Sequence, residues 1–140
     1  MPHHIPRWIL DRRGATAVEF ALVMPILVML LFGIVAFGAV IGVDNGIQQL
    51  VAEAARASVA GLSDPERAQL AQAFVSANAA SYPFIDPTRI ALSTSDPTAT
   101  SFQVTVRYDM SGLFAYRMLS GLPLPSPAVA RSAVVQRGGF

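Results

Sequence analysis

A chain of 140 residues has room for one modest domain beside any membrane segment. Only 14% of its residues are charged while 53% are hydrophobic, a charge deficit against the roughly 25% of ordinary soluble domains. The net charge is +1 and the ten basic residues, all arginine, are scattered, so no stripe suited to a phosphate backbone exists and no nucleic-acid partner is expected. Cysteine is absent, which excludes disulfides and thiolate metal sites and fits either redox compartment.

Residues 1–14 form a short polar leader with Arg7, Arg12 and Arg13 against Asp11. From Phe20 to Val43 follow 24 residues without a charge. As a helix they extend about 36 Å, enough to cross a hydrocarbon core of about 30 Å with some tilt. Residues 20–43 are therefore expected to span a membrane once. The next basic residue is Arg56, so the positive-inside rule puts the leader in the cytoplasm and residues 44–140 outside.

Asp44-Asn45-Gly46 offers a possible break. Beyond it Ile47, Leu50, Val51, Ala54, Ala55 and Ser58 recur at helical spacing, with Gln48, Gln49, Glu53 and Arg56 between them. Without a break, one N-terminal helix runs over residues 15–60 and ends near Gly61. Ser63-Asp64-Pro65-Glu66 has the chemistry of a helix start: a capping side chain, a proline in the first turn and acids suited to the dipole. The helix it opens turns Leu70, Ala71, Phe74 and Val75 inward and ends before Tyr82-Pro83.

The period then changes to two. Phe102, Val104, Val106 and Tyr108 alternate with Gln103, Thr105 and Arg107, which predicts a half-buried strand. A weaker strand over Arg89 to Thr94 points Ile90 and Leu92 inward, and Ser95-Asp96-Pro97-Thr98 supplies the turn of a hairpin. Ser111 to Leu119 reads as a short helix or a loop crossing, and the prolines of Leu122 to Pro127 block regular structure. Ala128 to Gln136 can form a third strand of ambiguous alternation. The expected fold is α+β: a long membrane-spanning helix, then a small domain over 61–140 with a second helix on an antiparallel sheet of about three strands.

The string "RRGATAVEFALVMPILVMLLFGI", with Gly14 four residues before Glu19-Phe20, resembles a class III signal peptide of the type IV pilin superfamily. More specifically it is similar to the TadE-like family, pseudopilins (minor pilin-like proteins) of the tight-adherence Flp/Tad pilus system. The resemblance covers Arg12 to Val43 and fades beyond. It implies that a prepilin peptidase cuts between Gly14 and Ala15 on the cytoplasmic side and leaves the helix on the mature protein. Glu19, Phe20 and Pro25 would then serve assembly. The implied setting is the inner membrane, with a small periplasmic pilin-like domain, and the implied partners are other pilins and pseudopilins and the Tad secretion platform. Phe20 replaces the tyrosine usual in major Flp pilins. With the hundred or so residues beyond the helix, this favours a pseudopilin over the fibre subunit.

Glu19 also has a physical reading of its own. An acid in the middle of a membrane helix costs about 2.5–3.5 kcal/mol, less near the interface, so it persists where it has a partner. Cleavage after Gly14 would create an amine on Ala15, one helical turn away in the same chain and closer in a staggered neighbour. At 4 Å and an effective dielectric near 20 the pair gains roughly 4 kcal/mol before desolvation. The plainer reading is an acid at headgroup level that needs no partner. Pro25 removes one backbone hydrogen bond, so a kink or local unwinding is expected. Gly38 and Gly42 form a GxxxG that permits close helix packing, and Gly46 extends the small-residue ridge.

The tandem His3-His4 lacks further ligands, so no metal site is expected. Asp64, Glu66, Asp86 and Asp96 adjoin prolines or helix starts, where capping and turns account for them. No Ser/His/Asp set or phosphate loop appears, and neither an enzyme nor a cofactor is expected. Secretory cleavage after Ala36-Phe37-Gly38 would instead release a soluble periplasmic binding protein. An uncut start would leave a signal-anchored protein unrelated to pili. The apolar run is longer than a usual secretory signal core of about 7–15 residues, which argues against the first of these.

Overall fold

The computed structural model describes residues 12–121 and 123–137. His3, His4, Arg7 and the rest of the leader's start lie outside them, and Arg12 and Arg13 are described by backbone alone. The chain divides into two units, one up to Val35 and one from Ala36 onward.

Helix α1, Arg12–Ser58, has 47 residues and a length of about 70 Å. It begins three residues before the expected Ala15, so the Gly14–Ala15 bond lies within its first turns. The helix is unbroken through Pro25 and through Asp44-Asn45-Gly46. The expected local unwinding at Pro25 is thus not seen, and the break at the Asn-Gly pair does not occur. Packing overrides the local turn signal there. Gly46 is buried, and a Cβ on it would lie 3.1 Å from Ile85 and 3.5 Å from the Tyr82 ring. Gly46 therefore seats α1 against its own unit and does not prolong an open ridge with Gly38 and Gly42.

In the unit from Ala36 onward, two helices cover one face of a three-stranded sheet. Helix α2, Asp64–Asn78, is capped by Ser63, whose hydroxyl accepts from the Glu66 amide, while the Glu66 carboxylate accepts from the Leu62 amide at 2.8 Å. The strands are β1 (Ile90–Ser95), β2 (Ser101–Asp109) and β3 (Ala128–Gln136), an antiparallel meander in the order β1-β2-β3. The register pairs Ile90 with Tyr108 and Tyr108 with Val129. A turn of 3₁₀ helix, Met110–Gly112, leads into the short helix α3, Phe114–Met118.

The core contains the predicted residues: Ile47, Leu50, Val51, Ala54, Ala55 and Ser58 of α1, Ala71 and Val75 of α2, and Phe102, Val104, Val106 and Tyr108 of β2 are all buried. Leu70 is only half-buried and takes no part in that cluster. The alternation of β3, ambiguous from sequence, is regular: Val129, Arg131, Ala133 and Val135 turn inward. Arg131 can face in because Asp44 of α1 receives it.

Arg137 closes the far end of this unit. Its guanidinium bridges Asp64 at the start of α2, at 3.2 Å, and Asp96 in the β1–β2 turn. Asp64 also accepts from Arg67 at 3.3 Å. The acids assigned to caps and turns are therefore also cross-links between elements.

Candidate functional site

The chemistry expected from sequence is concentrated in the first half of α1. Gly14, Ala15, Glu19 and Phe20 are all exposed, as is Pro25. A Cβ added at Gly14 would meet nothing within 4 Å. Ala15 and Glu19 are four residues apart and share one face. Glu19 forms no ion pair with any described residue.

From Phe20 to Val35 the apolar side chains are bare around the helix: Phe20, Leu22, Ile26, Met29, Leu30 and Ile34 are all exposed. A helix that is apolar on every side is stable only in lipid or among other helices. Among the described residues one helix, Gly14–Ser58, is long and apolar enough to cross a membrane, with a mean hydropathy of 2.9 in its most apolar window.

The outer end of the expected span is different. Ala36, Ala39, Val40 and Val43 are buried in the core of their unit, while Phe37, Gly38, Ile41 and Gly42 remain exposed on the other side. Residues 36–43 thus have one face covered by protein, which the uncharged run alone did not reveal. A Cβ on Gly38 or Gly42 would meet nothing within 4 Å, so that ridge is open to a neighbouring helix.

A second constellation lies at the end of the sheet where β1 starts and β2 ends. The Tyr108 hydroxyl accepts from the Asp86 amide at 3.0 Å and donates to the Phe84 carbonyl at 3.3 Å. It holds Phe84 at φ 63°, a left-handed conformation costing a bulky side chain about 1–3 kcal/mol. The Phe84 ring meets Phe114 edge-on with centroids 6.4 Å apart. Beneath them Arg89 pairs with Asp86 at 3.7 Å and Asp109 at 3.8 Å, beside a cavity of about 190 Å³ that Tyr108 and Leu113 help to line.

Both carboxylates are held below their ordinary value of 3.8. For Asp86 the Thr88 hydroxyl is the main cause, followed by its amide; for Asp109 it is the Ser111 amide, followed by its hydroxyl. Burial, with Glu53 beside it, raises Tyr82, whose hydroxyl donates to that carboxylate at 3.2 Å. Sequence reasoning missed this cluster and the Asp44–Arg131 pair. The one available signal was Arg131 falling on the valine face of a period-two run.

Among the described residues no three His, Cys, Asp or Glu side chains gather to hold a metal ion. Residues 14–56 match the family model described as TadE-like protein, which bears out the resemblance read from the opening string. The matched stretch is most of α1, and it implies association with the Tad pilus system. No curated protein and no solved structure matches the chain.

Proposed function

We propose that this chain is a pseudopilin of a Tad (Flp) pilus assembly system, supporting pilus biogenesis and surface adherence. The observation that carries the reading is the bare apolar helix of the TadE-like segment, with one acid, Glu19, near its start. In this reading α1 anchors the protein once in the inner membrane, with Arg7, Arg12 and Arg13 cytoplasmic and residues 44–140 periplasmic. A prepilin peptidase removes residues 1–14, and the Ala15 amine so freed pairs with Glu19 of an adjacent subunit. Gly38 and Gly42 admit a neighbouring pilin helix. The role is one of assembly and involves no catalysis.

Burial of Ala36 in the domain core supports retention of the whole helix, since secretory cleavage after Gly38 would strip that residue from its packing. N-terminal mass spectrometry of the protein co-expressed with a prepilin peptidase tests the proposal. A mature start at Ala15 is expected. A start at Ala39 would replace the reading with a secreted domain, and an uncut chain would replace it with a signal anchor.

A further inference from the structure

We infer that α3 and the Phe84 turn form a membrane-surface foot, through which the domain rests on the lipid bilayer that α1 crosses. The inference rests on the proposed membrane anchoring of α1.

Two cross-links fix the direction of the domain. Arg131 of β3 holds Asp44 of α1, and Arg137, just past the end of β3, holds Asp64 at the start of α2. Strand β3 therefore runs the same way as α1, from its Ala36 end toward its Ser58 end. Ala128, three residues before Arg131, lies about 10 Å nearer the Ala36 end. Along α1 the same 10 Å is about seven residues, the level of Phe37. The Met110 amide donates to the Pro127 carbonyl at 2.7 Å, so α3 follows from that same end of the sheet, where Ala115 is buried and closes the core.

At this end the domain exposes apolar side chains. Phe84 is 60% and Met118 is 55% exposed. Phe114, half-buried against the core, touches Phe84 and lies one helical turn from Met118. Arg117, exposed beside Met118, forms no ion pair with a described residue and can reach lipid phosphates while the apolar side chains enter the boundary. On α1, Phe37 and Ile41 are exposed at a similar level.

The span length points to lipid as the occupant. The bare uncharged stretch from Phe20 to Val35 is about 24 Å long, short of a hydrocarbon core of about 30 Å. The remaining 6 Å or so needs about four more residues, and those already belong to the domain. The outer boundary thus falls within residues 36–39 of α1, at the α3 end of the same unit.

The chain has no cysteine, so a single introduced cysteine can carry an environment-sensitive fluorophore. The full-length protein would be reconstituted in vesicles of phosphatidylethanolamine and phosphatidylglycerol, with nitroxide lipids as quenchers. Labels at Ile34→Cys in the span, Met118→Cys in the foot and Leu62→Cys at the far end, where Leu62 is 92% exposed, give the comparison. Ile34 and Met118 should lose fluorescence to the quenchers, Met118 mainly to a nitroxide placed high on the acyl chain, while Leu62 stays bright. Arg117→Cys provides a second foot position should the Met118 variant fold poorly. A foot label as bright as Leu62 beside a quenched Ile34 overturns the foot alone; a bright Ile34 overturns the membrane reading itself. A foot label shielded from aqueous iodide yet untouched by the lipid quenchers would mean that protein, such as a second copy, covers the patch, and also overturns the inference.

Discussion

Arg131 on β3 places Nη2 2.7 Å from each carboxylate oxygen of Asp44 on α1, joining residues 87 positions apart. The pair sits just where the uncharged run ends. It fastens the sheet to the helix one residue after Val43, the end of that run.

Both side chains are half-buried, so the pair falls between exposed ion pairs, worth about 0.2–1 kcal/mol, and buried ones, whose breakage costs about 3–5 kcal/mol. Arg131→Gln should therefore destabilise the domain by about 1–2 kcal/mol in denaturant titrations of the detergent-solubilised protein. Asp44→Asn should be partly redundant with it. A double-mutant cycle with no coupling would mean that each residue contributes independently of the other.

Gly61 makes the second prediction. It joins α1 to α2 at a point where an added Cβ would lie 2.8 Å from the Arg67 amide nitrogen and 3.0 Å from its Cα. Those atoms are backbone of α2 and cannot swing aside. Gly61→Ala should cost about 1–3 kcal/mol, the range of an overpacked site. Gly38→Ala, where a Cβ meets nothing, should leave domain stability unchanged. Equal thermal midpoints for the two variants would show that α2 shifts freely.

The Phe84 end should respond to acid. Asp86 and Asp109 are held below 3.8 by hydrogen bonds from Thr88 and Ser111, with the Arg89 charge a smaller cause. The folded state thus binds fewer protons than the unfolded state near that pH, and stability falls as pH falls. The contribution is complete above 3.8 and is lost as pH drops through the lower folded values. Protection of the Thr88 and Ser111 amides, relative to their intrinsic exchange at each pH, should fall in that window. With Asp86→Asn and Asp109→Asn, which keep an accepting oxygen, the acid dependence should flatten.

The parts of the fold legible in sequence are those with a local period. Phe102 to Tyr108 alternates cleanly because β2 is the central strand with one covered face, and Ile47 to Ser58 repeats at helical spacing because that stripe lies on the sheet. Strand β3 hid its register because Ala128, Ala130, Ser132 and Ala133 are small on both faces, so only a partner on α1 decides where Arg131 points. Asp44-Asn45-Gly46 read as a turn for the same reason: its local chemistry favours one, while Arg131, Tyr82 and Ile85 arrive from distant sequence. Of the candidate site, Gly14, Glu19 and Pro25 stand in one contiguous string of the sequence, open to reading without a structure. The Phe84–Phe114 contact was not, because it depends on the Tyr108 hydroxyl reaching back 24 residues to the Phe84 carbonyl.

Glu19 separates assembly from anchoring in the proposed function. It is exposed on a bare stretch of α1 and forms no ion pair with a described residue, so its removal should leave the domain's core untouched. Glu19→Ala also deletes a charge that lipid penalises, and membrane insertion should be unharmed or easier. Cleavage between Gly14 and Ala15 should persist, because the bond and the arginines before it remain. Assembly should fail, since each subunit would lose the carboxylate that receives a neighbour's Ala15 amine and leave that amine unpaired in a low-dielectric setting. The measurement is crosslinking to partner pilins together with pilus-dependent adherence, in a strain carrying only the variant. Glu19→Gln should behave like Glu19→Ala if charge is what matters, and Glu19→Asp should retain part of the activity. Normal crosslinking and adherence in the alanine variant, with normal processing, would make Glu19 an interfacial acid without a role in assembly.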